Sequence, residues 1–293
     1  MDQTTYMDKA TQTRLVVQKI EQLPTLPVMA MRILEASSSD NSIGEISEII
    51  EQDQAICAKI LRVANSAYFG FLRQISTISN AVVLIGLNTV KSLVLGTSIV
   101  DMFKEENTEE SFDVERFWIH SISSATAARL LSKHLRELKS DNLFIVSLLH
   151  DIGKIIFDIY FYDEYRIVLR NAKIYGKKDI VELEMSMFGT DHTMVGYWLG
   201  EKWKFPPLLL NSIRYHHKPE MAPVEFRMHC YVVAVSTILS TQVGQGSSVH
   251  NLIPDDPTEY LDYLKIPESK YNEIKKELEE QKENIEAFLE NLG

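Results

Sequence analysis

Apolar residues recur three and four positions apart along nearly the whole chain, the spacing of one face of an α-helix. Met29, Ile33 and Leu34 make such a stripe after Leu23-Pro24-Thr25-Leu26-Pro27, where Pro27 suits a first helical turn. Ser37 to Asn41 is a polar break, and Ser42 is placed to cap a helix carrying Ile46, Ile49 and Ile50. Ile56, Ile60, Leu61 and Ala64 continue the pattern, Asn65-Ser66 and Gly70 mark its end, and Ser76 to Asn80 offers the next caps. Residues 81 to 100 are rich in Val and Ile, a composition that suits strands. Yet Val83, Leu87, Val90 and Val94 fit a helical stripe better than strict alternation, with a break into two helices expected at Gly86 to Asn88. Further helices are expected at about 114–138, 141–160, 163–175, 179–187, 193–203, 206–215 and 223–242, with Gly176 and Gly189 as stops and a loop over residues 244–248. The predicted fold class is all-α.

The acidic connector at residues 105–113 is the best boundary between two helical lobes. It divides the chain into an arm (1–17), a first lobe (18–110), a second lobe (111–254) and an acidic helical tail (255–293). In the tail, Ile274, Leu278, Ile285 and Leu289 form a thin apolar stripe, which predicts a helix over 268–291 packed on the body by one edge; a partner-binding helix is the alternative. No period of 20 to 50 residues repeats, which argues against a solenoid.

Charge changes the picture in one place. The net charge is −11, and residues 255–293 hold 12 acids against 5 bases, a net of −7. The acidic balance argues against a protein that binds nucleic acid directly, which needs a basic face. Two cysteines, Cys57 and Cys230, are too few for a disulfide framework and fit a reducing cytosol. Met1 to Arg14 is polar, unlike a signal peptide. The most apolar stretch, Ala81 to Phe103, is interrupted by Asn88, Thr89, Lys91 and Asp101, so buried core is expected rather than a membrane span.

The candidate chemistry lies in the histidines. Five of the eight, His120, His150, His192, His216 and His217, form a pattern. His150 is followed by Asp151, and neighbours on a helix point about 100° apart, so both reach one divalent ion over their shared edge. Lys154 lies one turn beyond, poised either to meet a substrate phosphate or to cap the helix in solvent. His134, His229 and His250 have no motif support.

At these residues the chain resembles the metal-dependent phosphohydrolases named for their HD motif. Leu23 to Pro27, Asp53-Gln54-Ala55, Lys59 to Ser66, Leu84-Ile85-Gly86-Leu87, Gly189 to His192, Trp203 to Pro206 and His216-His217-Lys218-Pro219 extend the likeness to the HDOD family, HD-related output domains of bacterial signalling. The resemblance covers about residues 18–239. It implies an N-terminal helical bundle against an HD-like helical bundle, and a regulatory module that acts through other signalling proteins.

Relatives of the HD-GYP type, with a fuller metal set, hydrolyse cyclic dinucleotides. The resemblance places metal-binding positions at His120, His150, Asp151, His192, His216 and His217. Two departures stand against a full centre. Arg116 occupies a position that is acidic in many such sites, and Val235 aligns with the closing aspartate, with no Asp or Glu between Glu225 and Asp255. Asp151 is then the only matched carboxylate, too little to balance two divalent ions. One ion (Zn, Mn or Fe) on His120, His150, Asp151 and His192 is the largest set expected. Asp191 is expected to cap the helix that follows it. Tyr68 to Phe71 is expected to pack between the lobes. The expected function is a cytoplasmic regulatory protein acting by contact, sensing a nucleotide or other small ligand in a degenerate HD pocket. The alternative is a metal-dependent phosphohydrolase acting on a nucleotide or cyclic dinucleotide, with Lys154 on the phosphate.

Overall fold

The computed structural model describes residues 9–23, 25–37, 43–104, 112–135, 138, 140–175, 180–245 and 256–292. The expected cap at Ser42, the connector at 105–111, the stop at Gly176, the distal part of the 244–248 loop and His250 lie outside them. Every described regular element is helical, as the apolar periodicity predicts.

The first lobe holds α2 (Val28–Ser37), α3 (Ile43–Glu51), α4 (Gln54–Ala64), α5 (Ile78–Ile85) and α6 (Leu87–Lys104). Its helix ends follow from local chemistry. Asp53 caps α4 by accepting from the amides of Ala55 and Ile56, and Thr77 caps α5 through the amide of Asn80. Beyond α4, the Asn65 amide group donates to the carbonyls of Leu61 and Ile75 and accepts from Ile75 N–H, which ties down the connection to α5. Gly86, at φ 92°, ends α5 in a conformation that a Cβ disfavours.

The axis bends by 116° at that glycine. The turn defeats the predicted stripe: Val90 and Val94 are buried, but Val83 is 70% exposed, because periodicity cannot be counted across a bend. α5 buries Ile78, Ala81 and Val82 instead. Among the described residues no single helix is long and apolar enough to cross a membrane.

The second lobe comprises α7 (Val114–Ser132), α8 (Ser140–Leu148), α9 (Ile152–Tyr160), α10 (Tyr162–Tyr175), α11 (Ile180–Phe188), α12 (His192–Lys202), α13 (Pro207–Tyr215) and α14 (Val224–Gln242), with a 3-10 turn at Pro219–Met221. α7, α8 and α14 pack together as its centre, and α9 lies against α12. The helix expected at 141–160 is two helices. They part at residues 149–151, where Asp151 adopts φ −99°, ψ 9°.

α1 (Lys9–Gln22) runs across the expected 17/18 boundary and packs on α11 and α12. The Lys202 ammonium at the end of α12 donates to the carbonyls of Ile20 (3.0 Å), Glu21 (2.8 Å) and Leu23, completing the C-terminus of α1.

The tail is three helices rather than one: α15 (Thr258–Leu264), α16 (Glu268–Glu280) and α17 (Lys282–Leu292). Its acidic side is solvated, and its apolar stripe is buried on the body at Ile274, Leu278, Ile285, Phe288 and Leu292. Phe288 enters an aromatic cluster with Tyr68 (centroids 4.7 Å apart), Phe69 (6.4 Å) and Phe144 (6.1 Å), so α17 packs on both lobes at once. Tyr68 spans the same junction through its hydroxyl, 2.9 Å from Thr126 Oγ1. The segment 68–71 divides there: Tyr68 is buried between the lobes, while Phe71 is exposed.

Candidate functional site: a buried histidine cluster around Asp151

Five histidines from four separate regions converge on one carboxylate. His120 comes from α7, His150 and Asp151 from the α8–α9 turn, His192 from the start of α12, and His216 and His217 from the end of α13. At the break before α9, His150 and Asp151 face a common centre.

Gly153 makes the rest possible. A Cβ there would lie 2.0 Å from His192 O and 2.8 Å from Gly196 N, so α9 and α12 cross at backbone contact distance. That crossing carries His192 to Asp151.

The ring nitrogens follow a rule. The Nδ1 atoms face inwards to the protein: His150 Nδ1 to Ser147 O (2.6 Å), His216 Nδ1 to Ile213 O (2.8 Å), His120 Nδ1 to Ser240 Oγ (3.1 Å) and Gln245 O (3.3 Å). His192 Nδ1 meets Glu184 Oε2 at 2.7 Å, and the same oxygen accepts the His192 backbone N–H at 2.8 Å. At His120, His150 and His216 these partners make Nδ1 the protonated nitrogen and leave Nε2 a lone pair.

The Nε2 atoms gather around Asp151. His192 and His216 stand 3.3 and 3.4 Å from Oδ1, His150 and His120 stand 3.3 and 3.8 Å from Oδ2. His217 Nε2 is 3.1 Å from His192 Nε2. Asp151 Oδ1, His120 Nε2 and His216 Nε2 are buried with no hydrogen-bond partner among the described residues. Unpartnered acceptors facing one another in a dry site are costly unless a cation lies among them. The cluster therefore fits a divalent metal, and two overlapping sets have ligand atoms within 4.8 Å of one another: Asp151, His192, His216 and His217, or His120, His150 and Asp151. Bound there, an ion supplies Lewis acidity and positive charge.

Electrostatics agree with ligand character at three of the histidines, while His192 has a proton for an incoming ion to displace. Burial lowers the pKa of His120 to about 3 and of His216 to about 4, against the pull of Asp151, and pushes His217 well below its ordinary value. Neutral imidazoles are the metal-binding form. Burial works against charge on His192 too, but Glu184 and Asp151 outweigh it and hold its pKa up at about 9. Burial also opposes charge on Asp151, yet His150, Lys154 and His192 keep its carboxyl well below the carboxylate range.

Three residues around the cluster qualify the sequence pattern. Arg116 contributes no charge to the centre: its side chain is 70% exposed and pairs with Asp113 at 3.4 Å. Lys154 is neither a solvent cap nor open for a phosphate. It is buried, with its ammonium 2.6 Å from Asp151 Oδ2. Glu184, which sequence reasoning missed, is a second buried carboxylate, bonded to His192 and to the Tyr165 hydroxyl (3.2 Å). Its signal was legible: it lies four residues after Ile180 and four before Phe188, on the apolar face of α11. Val235 is buried on α14, where Thr237 and Ser240 reach the cluster with hydroxyls instead of a carboxylate.

Asp191 caps α12 as expected, accepting from Met194 N at 2.9 Å. His134 is exposed and His229 half-buried, both apart from the cluster.

The cluster has an opening on one side. His217 is only half-buried and lines a cavity of about 220 Å³ with Thr193, Arg214 and Lys218. A larger cavity of about 720 Å³, lined by Leu26, Leu34, Trp203 and Phe205 among others, lies between the lobes.

Comparison with known proteins supports the likeness. Residues 23–219 match the HDOD domain family. An HDOD domain protein of unknown function from Geobacter sulfurreducens shares 26% identity over 98% of this chain and 99% of its own, with a TM-score of 0.79. A Shewanella amazonensis protein described provisionally as a phosphohydrolase shares the fold at 22% identity, over 96% and 99% of the two chains, with a TM-score of 0.75. An uncharacterized protein of Treponema pallidum (strain Nichols) is 25% identical over 244 residues, 82% of this chain. The chain spans 46% of that protein's length.

Proposed function

The chain belongs to the HDOD domain family, and from that premise we propose that it is a regulatory protein of signal transduction, working by contact with other signalling proteins. Its histidine pocket serves as a sensing element rather than a hydrolytic centre. One observation carries this reading: among the described residues the candidate ligand sets hold a single carboxylate, Asp151, too little charge for the two-metal centre of a hydrolase. The Thr237 hydroxyl, 3.4 Å from His150 Nε2 where a closing carboxylate would be needed, adds to it.

The sensing element takes a divalent ion and, beside it, a small anionic ligand such as a nucleotide phosphate. Arg214 and Lys218 lend positive charge to the cavity at His217, offset in part by Asp191, which also lines it and lies 4.0 Å from Arg214. The route from pocket to surface is α12. It begins at His192 in the cluster and ends at Lys202, which holds the end of α1. Ligand bound at one end shifts the balance between arrangements of the helices at the other. Partners are proteins rather than nucleic acid, given the acidic surface, and the compartment proposed is the cytoplasm.

Five convergent histidines favour a second reading, a metal-dependent phosphohydrolase. The test is a turnover assay on protein purified without chelator or tag, supplied with Mn²⁺ or Fe²⁺ and offered nucleotides and cyclic dinucleotides. The regulatory reading expects no turnover above that of Asp151→Ala. Turnover that Asp151→Ala abolishes would establish the hydrolase instead.

A further inference from the structure

The two oxygens of Asp151 face unlike surroundings. Around Oδ2, His120 and His150 approach from α7 and the α8–α9 turn, and the Lys154 ammonium is already bonded at 2.6 Å. Among the described residues, two histidines and one carboxylate oxygen form the ligand set on this side, and α14 meets it with the hydroxyls of Thr237 and Ser240. Around Oδ1, by contrast, three imidazoles and one carboxylate oxygen form a four-member set, His192, His216, His217 and Asp151. Asp151 Oδ1 and His216 Nε2 in that set have no hydrogen-bond partner among the described residues. Glu184 stands behind His192 as a second negative charge.

We propose that this protein binds a single divalent ion, on the Oδ1 side, held by Asp151, His192, His216 and His217, with Lys154 acting as the built-in cation of the Oδ2 side. This rests on the reading above that the cluster takes a metal, and it names the count and the side. The expectation from sequence was one ion on His120, His150, Asp151 and His192; the proposed set keeps Asp151 and His192 and takes His216 and His217 in place of His120 and His150.

Ligand number favours the Oδ1 side. Three imidazoles and a carboxylate complete a four-coordinate shell for a borderline ion such as Zn²⁺ or Co²⁺. Charge favours it as well. An ion on the Oδ2 side would face an ammonium bonded to the oxygen it needs, in a fully buried site where like charges repel strongly. On the Oδ1 side the ion lies across the carboxylate from Lys154 and near Glu184. Access points the same way. His217 lines the 220 Å³ cavity, whereas His120 and His150 are fully buried. The Nδ1 contacts of His192 and His216 already hold their rings with Nε2 turned towards Asp151 Oδ1, so little reorganisation of the rings accompanies binding.

The test is a calorimetric titration of chelator-stripped full chain with Zn²⁺ alone, repeated with Co²⁺ while the visible ligand-field bands are recorded. Wild type and His120→Ala are expected to bind one equivalent with similar affinity and the same Co²⁺ spectrum. His216→Ala and His217→Ala are expected to bind at least 100-fold more weakly, with altered bands. Circular dichroism melts check each fold. Should His216→Ala fail to fold, half-buried His217, replaced by Gln, decides alone. Two equivalents in wild type, or loss of the ion in His120→Ala with retention in His217→Ala, overturns the assignment while leaving metal binding intact. No binding of either ion at millimolar concentration overturns both.

Discussion

On one side of Asp151 a carboxylate oxygen is bonded to a lysine; on the other, an identical oxygen faces three imidazoles and nothing that donates to it in good geometry. The two sides are built from the same residue types, yet one is electrostatically closed and the other open. A histidine cluster is therefore not defined by its histidines alone. What decides its chemistry is where the neighbouring charges sit, here Lys154 on the near helix and Glu184 behind His192.

The largest break in this comparison is expected from Gly153→Ala. The added methyl collides with the His192 carbonyl, which cannot yield without parting α9 from α12. A loss of about 4 kcal/mol in unfolding free energy is expected, measured by denaturant titration, with the Oδ1 side dismantled and His120 still on α7.

Asp151→Asn attacks both sides at once, since it strands the Lys154 ammonium in a buried site. About 3 kcal/mol of stability should go, and Lys154→Met in the same chain should restore most of it, because an apolar side chain needs no counter-charge. A double-mutant cycle by thermal melts reads the coupling.

Glu184→Gln sharpens the comparison rather than breaking it. It keeps a partner for His192 Nδ1 but removes the charge, so Zn²⁺ affinity is expected to fall about 10- to 100-fold. His120→Ala should be without comparable effect in the same titration.

The smallest effect lies outside the cluster, one turn beyond Lys154. Burial raises the carboxyl of Asp158 to about 6, above its ordinary 3.8. A carboxyl whose folded pKa is raised binds its proton more tightly in the folded state. Its stabilising contribution is complete below pH 4 and is lost as pH rises through 6. Asp158→Asn should therefore raise stability by about 1–2 kcal/mol at pH 8 and change little at pH 4, in paired thermal melts.

Much of this was legible in the chain. Helical periodicity gave the all-α class, and the Asp53, Thr77 and Asp191 caps follow side-chain rules that need no tertiary information. The break at Gly86 was readable, but the direction of the chain after it was not, and so Val83 was assigned to the wrong face. The turn at His150-Asp151 carries no glycine or proline of its own to announce it, and it was read as helix. The six residues brought together at the site were all singled out beforehand, through the family likeness. Their second layer was missed for a different reason. The family pattern places the closing carboxylate on α14. Glu184 reaches the cluster from α11, a contact that only the folded chain creates. Lys154 was placed by spacing alone, which fixes its height on the helix but not the partner it turns to.

The most direct measurement is an anomalous-scattering map of crystals grown with Zn²⁺. The account predicts one strong peak, on the Oδ1 side of Asp151, within bonding distance of His192, His216 and His217, with Lys154 still on Oδ2. A peak between His120 and His150, or a pair of peaks bridged by Asp151, would contradict it.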